Sequence, residues 1–113
     1  MTVRRLSEAA GLAAAALPDG DRPVTGGYVG DLLSRVMGRA SAGDAWITIM
    51  SNPNTVAVAV LADVACVILA EGVLPDDGVA ALAGERGVNL LLSPASAYET
   101  ALRLQRCLSP TEP

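Results

Sequence analysis

Apolar positions along this chain fall into short blocks whose spacing alternates between a helical and an extended period, separated by glycine, proline and aspartate. The stretch from Asp44 to Glu71, DAWITIMSNPNTVAVAVLADVACVILAE, shows the pattern most fully. Asp44–Met50 reads as a buried strand, Ser51–Asn54 as a polar loop, and a short helix follows to about Asp63. Val64–Ala70 is a continuous apolar run of strand length. The helix is the contested element, because Val56, Val58 and Val60 alternate with Ala57 and Ala59 as a strand would. Helix is favoured for two reasons. Asn52-Pro53 or Asn54-Thr55 supplies a start signal, proline being tolerated in a first turn, and a helix provides the crossover between parallel strands.

The remaining blocks follow the same logic. Leu6–Ala10 is a helical patch, Leu12–Leu17 a first strand and Pro18–Arg22 a turn. Pro23–Val29 starts extended and is then broken by glycines. Val29, Leu32, Leu33, Val36, Met37 and Ala40 repeat at helical spacing, predicting a helix with Asp31 in its first turn, where a carboxylate suits the dipole. Pro75, Asp76 and Asp77 open another helix with Val79, Leu82 and Ala83 on its inner face and Gly87 as C-cap. Val88–Leu92 is a short buried strand. Ser96 and Glu99 have capping-box spacing and start a last helix through Ala97, Ala101, Leu104 and Leu108. The tail Ser109–Pro113 is expected to fray. No repeat and no long linker divides residues 1–113, so a single domain is expected. Short strands alternating with helices predict the α/β class: a three-layer α/β/α domain whose mostly parallel sheet has about five strands.

Composition adds a prediction about assembly. The chain is 51% hydrophobic, with mean hydropathy +0.41, no Phe, and Trp46, Tyr28 and Tyr98 as its aromatic residues. The apolar excess exceeds what a small core needs and predicts a homodimer. The segment ending in Tyr28 and the strand face carrying Trp46 are the expected contacts, with core packing as the other role for Trp46.

Charge removes function classes. The net charge is -4, every basic residue is Arg, and there is neither Lys nor His. An acidic chain without a basic run is a poor ligand for a nucleic-acid backbone. Without His or Lys there is no Ser-His-Asp triad, Cys-His pair, Schiff-base lysine or P-loop. Cys66 and Cys107 are not at metal-ligand spacing, and two cysteines are too few for a disulfide scaffold; Cys66 reads as a small buried hydrophobe. No metal and no cofactor is expected. The N-terminal run with Arg4 and Arg5 is interrupted by Glu8 and followed by a turn, unlike an export signal. The longest apolar region, Thr55–Ala70, carries Asp63 and is shorter than the ~20 residues a membrane span needs. A cytoplasmic protein without membrane contact is therefore expected.

Two segments could meet a ligand. Thr25-Gly26-Gly27 permits close backbone approach, by a small molecule, by a neighbouring chain or simply by a tight connection. Ser51, Asn52, Asn54 and Thr55 place hydroxyls, amides and helix-start N–H groups at the C-terminal end of a strand, where they either cap the helix or hold a phosphate or carboxylate. The expectation is a small anionic ligand, such as a nucleotide, held between the two segments. Asp76-Asp77 and the turn residues Asp19 and Asp21 read as structural acids.

Residues from about Arg22 to Arg106 resemble the DRTGG domain, in particular small standalone bacterial proteins made of that domain alone. The resemblance lies in VTGGYVGDLLSRVM, in DAWITIMSNPNTVAVAVLADVACVILAEG and in GVNLLLSPASAYETALRL, and in the order of strands and helices. The family's Asp-Arg loop maps onto Ser51–Thr55, where this chain has Asn52-Pro53, so the charged pair is missing. The resemblance implies a regulatory and dimerising module of the kind that accompanies CBS domains or precedes phosphotransacetylase catalytic domains. It also implies a partner protein, a redox enzyme or a sensor kinase. Kinase activity, implied by distant likeness to the N-terminal domain of HPr kinase, is excluded by the missing lysine and P-loop. What the residues and the resemblance together predict is a non-catalytic regulatory or scaffolding homodimer. The alternatives are an anion sensor and, third, a carboxylate-dependent enzyme.

Overall fold

In the computed structural model, which describes residues 1–109, the chain runs α1 (Val3–Ala10), β1 (Ala13–Ala16), β2 (Gly26–Val29), α2 (Leu33–Arg39) and β3 (Asp44–Thr48). It continues through α3 (Pro53–Ala62), β4 (Cys66–Leu69), α4 (Val79–Glu85), β5 (Leu90–Leu92) and α5 (Ala97–Leu108). Of the expected tail Ser109–Pro113, residues 110–113 lie outside the described residues. The five strands form one sheet in the order β1-β5-β4-β3-β2. β2, β3, β4 and β5 are parallel, and β1 pairs antiparallel with β5. The three-layer α/β/α architecture with a mostly parallel sheet is what the alternating blocks predict.

Both faces of the sheet are covered, which explains why the central strands read as continuous apolar runs. On one face Ala45, Ile47, Cys66, Ile68 and Leu91 pack under α1 and α5. On the other, Trp46, Val67, Leu69 and Leu90 meet Val36 of α2, Val56 and Ala59 of α3, and Val79 and Ala83 of α4. Small strand residues let the helices approach closely, and Cys66 sits among them, fully buried.

β1 and β2 follow each other in sequence yet occupy opposite edges. The segment between them therefore crosses beneath the N-terminal ends of the parallel strands. It is held there by polar contacts: Asn89 grips Asp19, Arg22 Nη1 pairs with Asp63 Oδ1 at 2.8 Å, and the Thr25 amide donates to the Gly43 carbonyl at 3.0 Å.

Three element boundaries depart from the periodicity. Val29 belongs to β2 instead of opening a helix: it pairs with Ile47, and the next amide, Gly30, still donates to the Ile47 carbonyl at 3.1 Å. The helix starts at Leu33, and Asp31 lies before it. α4 starts at Val79, because Asp76 is bonded through both side chain and amide to Ser51 and forms a turn rather than a helix start. For 53–62 the start signal outweighs the Val-Ala alternation: Asn52 caps α3 by accepting from the Asn54 amide at 2.9 Å, with Pro53 in the first turn. Ser96 likewise caps α5, accepting from the Glu99 amide at 3.0 Å.

Candidate functional site

The loops that follow the parallel strands gather at one end of the sheet, and their polar groups are largely bonded to one another. After β3, Thr48 Oγ1 and the Ile49 amide both donate to Asp31 Oδ1, at 2.8 and 3.0 Å. Ser51 Oγ donates to Asp76 Oδ1 at 2.8 Å, and the Asp76 amide returns to the Ser51 carbonyl at 3.0 Å. Thr55 is buried and its hydroxyl donates to the Met50 carbonyl at 2.7 Å, while its amide donates to the Asn52 carbonyl. With Asn52 occupied by the Asn54 amide, the first donors of α3 are already satisfied. The loop caps α3, and its own acceptors already engage the donors of the helix start that could otherwise meet an anion.

The second predicted segment is elsewhere. Gly26 and Gly27 pair in parallel with Asp44 and Ala45, at the N-terminal end of β3, whereas Ser51–Thr55 follows its C-terminal end. Six residues of extended chain separate the two ends, roughly 20 Å. The structure therefore does not bring Thr25, Gly26 and Gly27 together with Ser51, Asn52, Asn54 and Thr55. The glycines answer to packing: a Cβ on Gly27 would lie 2.6 Å from Leu104 Cδ2, and one on Gly26 2.7 Å from Asp44 Oδ1.

Trp46 also differs from its predicted interfacial role. It is wholly buried on the α2–α3–α4 face, and its Nε1 donates to the Gly30 carbonyl at 2.8 Å, so it has no surface to offer a second copy. Core packing wins because β3 is flanked on both sides by strands. Tyr28, on the edge strand β2, is half-buried and leans on the same core.

Glu71 and Gly72 were not singled out by the sequence. They follow β4 as consecutive left-handed residues, φ 64° and 72°. For glutamate this backbone is strained, and three bonds hold it: the Glu71 amide to the Ala95 carbonyl (2.8 Å), the Gly72 amide to the Ser93 carbonyl (3.0 Å), and the Ala97 amide to Glu71 Oε2 (2.8 Å). The last places a carboxylate at the start of α5, where its charge is favourable. The dipeptide Glu-Gly after an apolar run was the available signal. Among the sulfur groups, burial pushes the Cys66 thiol up to about 12 from 9.0, with Arg22 pulling weakly the other way.

Comparison with known proteins gives three findings. The DRTGG domain family model matches residues 24–107. Among solved structures, the chain is similar to the CBS and DRTGG domains of the regulatory region of Clostridium perfringens pyrophosphatase, a structure complexed with its activator, diadenosine tetraphosphate. The TM-score is 0.69 at 13% identity, over 91% of this chain and 45% of that one, so the likeness is one of fold and spans under half of the larger chain. No curated protein matches the chain.

Proposed function

The chain belongs to the DRTGG domain family, and on that footing we propose that it is a non-catalytic regulatory or scaffolding module that pairs with a second copy of itself and contacts a partner protein. The reading is supported first by α3. This helix has no charged residue from Pro53 to Ala62. Thr55, Val56, Val58 and Ala59 are buried, yet Ala57, Val60 and Leu61 face outward, with Val60 48% and Leu61 70% exposed. A helix apolar on all sides is ordinarily covered on all sides. A second copy fits this face, because a two-fold axis parallel to α3 sets α2 of one subunit against α4 of the other. In that arrangement Arg35 and Arg39 of α2 would lie on the side of Asp76, Asp77 and Glu85, at and before α4 of the other copy, so that opposite charges would frame an apolar centre.

The carboxylates support the non-catalytic reading. Asp31, Asp76 and Glu71, acids at this end of the sheet, each accept hydrogen bonds from neighbouring protein groups, so these carboxylates are engaged in holding the loops together.

Sedimentation equilibrium of the wild type and of Leu61→Glu tests the reading. A wild-type dimer at tens of micromolar, by rough affinity reasoning, and a folded monomeric variant are expected. A monomeric wild type, or a variant that dimerises as well as the parent, overturns it.

A further inference from the structure

β4 and β5 lie side by side, yet the chain leaves them in opposite directions, α4 over one face of the sheet and α5 over the other. Such a divergence opens a crevice beyond the strand ends, where open α/β sheets characteristically hold ligands. Here the crevice contains a cavity of ≈390 Å³ whose walls include Gly11, Ala13, Val73, Leu74, Leu92 and Pro94. Its far side is closed by β1, since antiparallel pairing sets Ala13 opposite Leu92. Its roof is the Val73–Leu74 segment, turned by the left-handed pair Glu71-Gly72.

We propose that this crevice is a binding site for a small uncharged apolar molecule, for which indole serves as the probe. Its volume falls within the range of small-ligand clefts, roughly 300–1,000 Å³, and its mouth is open to solvent, Gly11, Ala13, Gly72 and Pro94 being exposed. Its walls are apolar, and the one hydroxyl among them, Ser93, is already bonded to Thr100 Oγ1 at 2.8 Å and to the Ala95 amide at 3.2 Å. None of the described residues lining it is charged, so an anion would lose its water there without gaining a cation, and an anionic ligand is disfavoured. Open space lies beside Gly11 and Gly72 at its edge: a Cβ on either would meet no atom within 4 Å. Leu74, 69% exposed, presents apolar surface that such a molecule in the crevice would cover, and the turn holding it is strained at Glu71. Strained backbone beside a cavity is a common mark of a ligand site. This inference does not rest on the dimer, whose face on α3 is separate.

The test is titration of ¹⁵N-labelled protein with indole and with benzoate. Indole is expected to shift the amides of Gly11, Gly72, Leu74 and Ser93 saturably, with benzoate, a ring bearing a carboxylate, roughly tenfold weaker. Ala13→Leu fills the wall and Leu74→Ser removes the roof from an exposed position that leaves the fold intact; each should weaken indole by about tenfold or more. Indole that shifts none of these amides up to its solubility, or shifts them equally in both variants, overturns the site. Benzoate that binds as tightly as indole overturns the assigned ligand class.

Discussion

The side-chain amide of Asn89 pairs with both backbone polar groups of Asp19: it accepts from the Asp19 amide at 3.0 Å and donates to the Asp19 carbonyl at 2.8 Å. The same nitrogen donates to the Ala65 carbonyl at 2.9 Å. One buried side chain thus joins the crossing segment to the starts of β4 and β5.

Asn89→Ala is expected to destabilise the fold by about 2–3 kcal/mol, because it leaves partly buried backbone groups without partners rather than merely deleting a bond. Urea denaturation measures the loss, and hydrogen exchange should show the Asp19 amide losing protection. A change under about 0.5 kcal/mol would mean the segment is held without it.

Gly27 and Leu104 are expected to be energetically coupled. Gly27→Ala drives a Cβ against Leu104 and should cost about 1–3 kcal/mol. In a Leu104→Ala background, itself destabilised by a cavity, the same glycine substitution should cost little. Additive costs in this double-mutant cycle would refute the close approach as the reason for glycine.

Cys66 should make stability fall at high pH. Its thiol is raised in the folded state, so the folded chain keeps its proton where the unfolded chain loses it. Below pH 9 the group has no effect; above pH 9 unfolding becomes easier by about 1.4 kcal/mol per unit until the folded thiol titrates near 12. Cys66→Ala should lack this slope, so chemical denaturation of both proteins from pH 8 to 11 isolates it. Equal slopes would contradict the burial of the thiol.

What the sequence disclosed depended on the range of the responsible interaction. Asn52-Pro53 and Ser96 cap helices through bonds spanning two or three residues, so those starts were legible, and with them the fold class. Val29 misled because its helical spacing to Leu33 and Val36 competes with a ladder partner, Ile47, eighteen residues away. Asp31 and Asp76 looked like helix-start acids, but their partners Thr48 and Ser51 lie seventeen and twenty-five residues distant. The split between Thr25–Gly27 and Ser51–Thr55 needed the parallel pairing of β2 with β3. The crevice between β4 and β5 needed the strand order and the side on which each helix returns, neither of which periodicity encodes.

The placement of β1 and β2 at opposite edges also governs how this chain can assemble as it is synthesised. β1 has no ladder partner until Leu90–Leu92 has been translated, and β2 must wait for Asp44–Ile47. The emerging chain can zip β2, β3 and β4 in order of appearance, each through a short helical detour. The alanine strand stays unpaired throughout, and its docking across more than seventy residues is a late, slow step. Its four small side chains offer little for misplaced association during that wait, which limits the hazard of an early unpaired edge.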